Sequence, residues 1–217
     1  MCCVIECWYI IESRSDNNAE QIQERDNVED ELFCAQLKKE ELQLANNMDS
    51  KYEFRSIQSE EADQAVRIEQ ICFPPNEACS EKCMKERIAK VPELFLVAVD
   101  RETGKLAGFF NGLATDEPSF RDEFFTDVSL YKPDGNNIML LGLDVLPEYR
   151  NQGLAKELVL QYMKREQKKG RKMLILTCLE NKVEMYKKMG FVDHGMAAST
   201  WGGEQWHEMA YVIDSDR

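Results

Sequence analysis

Pro147-Glu-Tyr-Arg150-Asn-Gln-Gly153-Leu-Ala155-Lys156 separates the longest apolar run of the chain, residues 138–146, from a strongly helical stretch at 154–169. A near-continuous apolar run of that length reads as a strand buried on both faces. The quoted stretch is therefore a strand-to-helix turn. At such a turn the first helical N–H groups lack intrahelical partners and carry the positive end of the helix dipole, which suits a phosphate. Gly153 lets the main chain approach a ligand without a Cβ, Ala155 keeps the next turn clear, and Arg150 adds charge. Neither G-x-x-x-x-G-K-[ST] nor G-x-G-x-x-G is present, which excludes an NTPase P-loop and argues against a Rossmann cofactor. On spacing alone, R-x-x-G-x-A is a weak signal, and a plain strand-to-helix turn accounts for it equally.

Outward from this turn the chain alternates regularly. On the N-terminal side, residues 52–57 read as a short strand, and Ser59 is placed to cap a helix reaching Ile71. Ala62, Ala65, Val66, Ile68 and Ile71 are spaced for one buried face of that helix. Pro74-Pro75 forces a loop, and residues 80–90 read as a second helix. Residues 94–100 and 106–113 flank Glu102-Thr103-Gly104-Lys105, the punctuation of an antiparallel hairpin. Residues 116–134 are polar with aromatics and are expected to loop over one end of the sheet. On the C-terminal side, the helix after the turn stops at Gly170, and residues 173–178 form another buried strand. Asn181-Lys-Val-Glu184 resembles a capping box opening a helix that ends at Gly190, and residues 191–193 and 206–213 close the sheet. The order β-α-α-β-β-β-α-β-α-β-β describes an α/β domain, a mixed sheet with helices on both faces.

The totals narrow the function classes. A chain of 217 residues suits one full α/β domain with an appendage, or at most two small domains. A net charge of −13 argues against nucleic acid or an anionic membrane as partner and favours a cationic substrate, although simple solubility explains it as well. Composition shifts near residue 50, and the acidic stretch before it keeps no heptad register; it reads as a helical or disordered extension. Met48 would serve as a start in its own right. The eight cysteines, Cys2, Cys3, Cys7, Cys34, Cys72, Cys79, Cys83 and Cys178, form no C-x-x-C pair, and with two histidines a zinc site is not expected. Free thiols in a reducing compartment are the simplest reading. The apolar opening is interrupted by Glu6 and lacks a basic region before it, so neither a signal peptide nor a span is expected, and the cytoplasm is the default.

A second strand–helix unit carries Asn181 and then Tyr186-Lys-Lys-Met-Gly190-Phe191. Together with Arg150-x-x-Gly153-x-Ala155, this combination resembles the Gcn5-related N-acetyltransferase (GNAT) superfamily, and more closely the arylalkylamine (serotonin) N-acetyltransferases. Shared-looking stretches include Glu53-Phe-Arg55, Ile68-Glu69 with Phe73, Pro92-Glu-Leu94, Gly104-Lys-Leu106 and residues 145–153. The resemblance covers roughly residues 52–213 and implies a mixed, mostly antiparallel sheet with splayed central strands, a GNAT domain over 51–217, and acetyl-CoA as cosubstrate without a metal.

Site residues follow by the same resemblance. The backbone of Leu143, Asp144 and Val145 would meet the pantetheine arm at a bulge, with the Val145 N–H facing the thioester oxygen. Arg150, Asn151, Gln152, Gly153, Leu154, Ala155 and Lys156 would surround the pyrophosphate. Asn181 would contact the cofactor near the sulfur or the pantetheine, and Tyr186 would protonate the departing thiolate. From spacing alone, Tyr186 is equally a core tyrosine. The two histidines that vertebrate serotonin acetyltransferases carry on the central strand are matched by Met139 and Leu141, neither able to accept a proton, and Ser80-Glu81-Lys82 stands where those enzymes have a flexible Cys-Pro-Leu loop.

An alkylamine with a pKa near ~10.4 is nucleophilic in only about one molecule in a thousand at neutral pH, so a base or a wired water is needed. Glu77, Asp144 and His207 are the candidates, against the plainer readings of a solvated loop acid, a residue facing the helix layer and a structural histidine. The expected activity is acetylation of a small primary amine, arylalkylamine-like or polyamine. The alternatives are a protein N-terminal or lysine acetyltransferase, or a non-catalytic acetyl-CoA-binding module.

Overall fold

In a computed structural model, the chain divides into two units, residues 1–48 and 49–217, and residues 47–213 are described. The reading of the acidic extension, with Cys2, Cys3, Cys7 and Cys34, lies outside the described residues. From residue 52 onward the elements follow the expected order. They are β1 (Tyr52–Ser56), α1 (Ala62–Cys72), α2 (Glu81–Lys90), β2 (Phe95–Asp100), β3 (Leu106–Thr115), β4 (Asn137–Val145), α3 (Leu154–Lys168), β5 (Met173–Cys178), α4 (Glu180–Lys187), β6 (Val192–Met196) and β7 (His207–Val212). The strands form one sheet in the order β1-β2-β3-β4-β5-β7-β6, with β4 and β5 parallel and every other neighbouring pair antiparallel. This is the mixed α/β sheet that the pattern described.

Alternation along the strands sorts the two faces. Phe95, Val97, Val99 and Phe109 point to one side and pack with Ala65, Val66 and Ile68 of α1 and Met84 and Ile88 of α2. Phe110 points to the other side and meets the Tyr162 ring of α3 at 5.0 Å, while the Tyr162 hydroxyl donates to the Leu94 carbonyl at 3.1 Å. The far end of α3 is tied down by Glu166, a fully buried carboxylate with Lys169 at 2.9 Å, Arg165 at 3.2 Å and Arg171 at 3.7 Å. A buried charge persists when it is paired in this way.

Several element ends differ from expectation, each for a local reason. Ser59 does not cap α1; a 3-10 turn at Ser59–Glu61 precedes the helix, and Gln58 and Glu61 form the capping box. Ile71, assigned to the buried stripe, is 56% exposed. The stripe ends one turn earlier, and Glu69 takes an interior place instead. Asn181 caps nothing: α4 begins at Glu180 after Leu179, which makes no side-chain cap bond. Ser80, by contrast, accepts from the Cys83 N–H at 3.2 Å and caps α2. Residues 116–134 contain two 3-10 turns, Asp122–Phe125 and Val128–Leu130; Phe120, just before the first, and Phe124, within it, are buried. No helix among the described residues is long and apolar enough to cross a membrane.

Candidate active site

The middle of the sheet opens where β4 and β5 part. They pair only through Asn137↔Met173, Ile138↔Leu174 and Met139↔Ile175. Immediately beyond, the β3–β4 register slips between Asn111↔Gly142 and Gly112↔Leu140, so Leu141 is the extra residue of a bulge. A bulge bends and twists its own strand, which carries the remainder of β4 away from β5. The expected bulge is thus present, two residues before Leu143.

Main-chain directions past the bulge follow from the antiparallel ladder. Leu146 N–H donates to the Ala107 carbonyl at 3.0 Å, making that opposite pair the hydrogen-bonded one. Opposite pairs alternate along such a ladder, so the N–H and C=O groups of Val145 and Leu143 turn away from β3, towards the gap. The Val145 carbonyl is met there by Arg150 Nε at 2.8 Å and by the Cys72 thiol at 3.4 Å.

The gap is a cavity of about 700 Å³. Leu143 and Val145 line it, as do Arg150, Asn151, Gly153, Leu154, Ala155, Lys156 and Tyr186. Elements distant in sequence therefore supply one site. After β4 a 3-10 turn at Pro147–Tyr149 leads into two left-handed residues, Asn151 with φ 58° and Gly153 with φ 86°. Gly153 is the N-cap of α3 and makes no side-chain cap bond, so the first amides of α3 remain available to a ligand at the cavity wall. Arg150 bends back, its Nη2 lying 3.6 Å from the Cys72 sulfur. Gln152 faces away, bonding Lys51 Nζ at 2.6 Å and the Glu148 carbonyl at 2.9 Å.

On α4, Lys182, Met185 and Tyr186 line the cavity, positions three and four apart that share a helix face. Asn181 falls on the neighbouring face, is exposed and does not line the cavity. Tyr186 is buried, its ring edge-on to Phe191 at 5.5 Å. Burial is the main cause that pushes its phenol above the ordinary tyrosine range, with Cys178 and Asp144 adding to it.

The opposite wall is aromatic. Phe125 stacks on Trp201 at 4.8 Å; Trp201 donates its indole N–H to the Glu77 carbonyl at 2.7 Å, and Trp206 donates to the Trp201 carbonyl at 2.9 Å. Glu77 also lines the cavity, and burial followed by the charge of Glu204 raises its carboxyl. Leu141 lines the cavity, whereas Met139 is fully buried in the strand and does not. The Asp144 side chain turns under the sheet towards α1, beside Glu69 and Cys72. Glu69, Cys72, Arg87, Phe125 and Trp201 are lining residues that sequence reasoning did not single out as site residues. Only Glu69 left a trace, an acid next to Ile68 on the apolar side of a helix.

His207 stands apart from the cavity. Its Nδ1 lies 3.1 Å from Asp193 and its Nε2 2.5 Å from Glu180, joining β7 to β6 and α4. Asp193 is the larger cause raising its pKa, followed by Glu180. The stabilisation from its charged form is therefore complete below the ordinary histidine value, ~6.5, and is lost as pH rises through the higher folded value. NMR titration of the ring is expected to show a raised midpoint that falls in Asp193→Asn. An unchanged midpoint would contradict the pairing.

The family model described as acetyltransferase (GNAT) family matches residues 62–191. No curated protein matches the sequence significantly. Among solved structures, the loading GNATL domain of CurA from Lyngbya majuscula aligns with a TM-score of 0.64 at 17% identity, over 75% of this chain and 98% of that one. The ribosomal-protein-S18-alanine N-acetyltransferase from Escherichia coli aligns with a TM-score of 0.55 at 20% identity, over 75% and 94%. PaiA N-acetyltransferase from Thermoplasma acidophilum, solved with coenzyme A, aligns with a TM-score of 0.55 at 18% identity, over 74% and 98%.

Proposed function

The chain belongs to the acetyltransferase (GNAT) family, and from that premise we propose that it transfers the acetyl group of acetyl-CoA to a small primary amine, arylalkylamine-like or polyamine. One observation carries this reading: the Leu143 main chain and the Val145 N–H, turned away from β3, and the uncapped start of α3 at Gly153 open into one cavity. An extended amide-bearing arm fits the first, a diphosphate the second. Acetyl-CoA, when bound, supplies an activated thioester carbonyl. Leu143 and Val145 hold its pantetheine arm, and residues 151–156 with Arg150 hold its diphosphate.

The Val145 N–H donates to the thioester oxygen as negative charge develops there, a form of stabilisation worth ~3–4 kcal/mol per donor. Tyr186 keeps its proton at neutral pH because burial favours the neutral phenol. It donates to the sulfur as the C–S bond breaks, and the phenol regains a proton as the new amide nitrogen loses one. Asn181 and Gln152, which do not line the cavity, are given no direct side-chain contact with the cofactor. A small cationic acceptor is supported by the aromatic wall of Phe125 and Trp201 and by the net charge of −13. A cytoplasmic, reducing setting suits the free thiols of Cys72, Cys79, Cys83 and Cys178.

A thiol-release assay on the full chain with acetyl-CoA, offering phenethylamine, spermidine and an unblocked peptide in parallel, tests the acceptor. Faster turnover of either amine supports the reading. Turnover of the peptide alone would move the acceptor to a protein N-terminus or lysine.

A further inference from the structure

Two carboxyl groups converge under the floor of the cavity. Glu69 of α1 is 5% exposed and Asp144 of β4 is 0% exposed. Their meeting point is Gly142, where a Cβ would lie 2.9 Å from Asp144 Oδ2 and 3.6 Å from Glu69 Oε2. Glu69 Oε1 accepts from the Cys79 N–H at 2.8 Å, while Glu69 Oε2 and both Asp144 oxygens are buried without a hydrogen-bond partner. Glu69 and Gly142 also line the cavity.

Two ionised carboxylates are both acceptors and cannot bond one another; adding one proton turns their contact into a hydrogen bond. The surroundings favour that proton. Burial, then the charge of Glu69, raises Asp144 well above the ordinary aspartate value, and burial raises Glu69. Arg87 of α2 and Arg150 after β4 are the nearby cations and act the other way. Arg87 directs its bonds to Asn111 Oδ1 at 3.1 Å and the Phe125 carbonyl at 2.7 Å. The neighbouring thiols, Cys72 and Cys79, are each pushed up to about 11, chiefly by burial, and stay neutral; Tyr186, which feels Asp144, stays neutral too.

We propose that Glu69 and Asp144 form a pair sharing one proton, which binds the ammonium group of the acceptor and takes its proton before attack. The inference rests on the amine reading above. The balance is simple: R–NH3+ and the pair holding one proton become R–NH2 and the pair holding two, and the second proton returns to solvent after the amide leaves. An ordinary glutamate would face a transfer about six powers of ten uphill from an amine. A pair that already resists ionisation narrows that gap. It fills the place that Met139 and Leu141 cannot fill.

The test uses the full chain, Glu69→Gln and Asp144→Asn, with four readouts: infrared difference spectra of the carboxyl groups against pH, calorimetric affinity for coenzyme A, affinity for phenethylammonium with coenzyme A present, and the pH profile of phenethylamine acetylation. The wild type is expected to keep a protonated carboxyl band at neutral pH that Asp144→Asn removes. Glu69→Gln is expected to bind coenzyme A normally, to bind phenethylammonium about tenfold or more weakly, and to lose the acid limb of its rate profile. Absence of the band at neutral pH overturns the shared proton. Unchanged phenethylammonium affinity and pH profile in Glu69→Gln, or a wild type that binds coenzyme A but not phenethylammonium, overturns the role towards the amine. Failure to bind coenzyme A at all counts against the acetyltransferase reading instead, and the band still decides the pair.

Discussion

Gly153→Val is expected to abolish measurable coenzyme A binding, a loss of at least about 100-fold, or ~3 kcal/mol, while the chain remains folded. Gly153 adopts φ 86° and ψ −3° as the N-cap of α3. A β-branched residue there is strained by about 1–2 kcal/mol and relaxes by rotating the turn. That rotation takes the first amides of α3 off their common target, and each charge-assisted bond lost to a phosphate counts for ~1.5–3 kcal/mol. Gly170→Val is the matched control. Gly170 has φ 75° at the other end of the same helix, with nothing within 4 Å of an added Cβ, so it carries similar strain away from the cavity. It is expected to lose similar stability and bind normally. Equal calorimetric affinity for both variants would remove residues 150–156 as the diphosphate site.

Tyr186→Phe is expected to lower kcat by about 100-fold or more and to leave coenzyme A affinity unchanged. The substitution deletes one oxygen from a buried ring that is already held edge-on by Phe191. Packing is therefore preserved while the donor proposed for the departing sulfur is gone. The pH profile sharpens the point: because burial raises the phenol above its usual value of ~10, no alkaline limb belonging to Tyr186 should appear in the neutral range. If steady-state and single-turnover rates of Tyr186→Phe equal those of the wild type, another group or solvent protonates the thiolate, and Tyr186 is only the core tyrosine that its spacing equally allowed.

Much of the fold could be read from local chemistry. The Met173–Cys178 strand, the helix after Ser80 and the Gly104 turn each followed from residue types whose preferences are satisfied within a few positions. Where the reading missed, a partner far along the chain had decided the matter. Ile71 has the right period for the core, but the buried side of α1 near its end is given to Glu69, which meets Asp144 on the same face of the sheet. Asn181 has capping-box spacing, yet α4 starts one residue earlier and turns Lys182, Met185 and Tyr186 to the cavity.

The site was half legible. The turn at Gly153 and the tyrosine before Gly190 carry spacing that survives in a linear text. The parting of β4 and β5 does not, because it depends on the bulge at Leu141 and on pairings that end at Met139 and Ile175. Asp144 stood out as an acid within an apolar run, but its side chain turns to Glu69 beneath the sheet, a partner that only the fold supplies. The aromatic wall joins Phe125 to Trp201 through a long-range contact that no local period announces.

The most direct check on the whole account is an amide NMR titration of the full chain with coenzyme A. Saturable shifts confined to Leu143, Val145 and the first turn of α3, with the Val145 N–H newly protected from exchange, are the predicted result. Saturation with those amides unmoved, or no binding at millimolar ligand (about 1 mM, a free energy near ~4 kcal/mol), would contradict it.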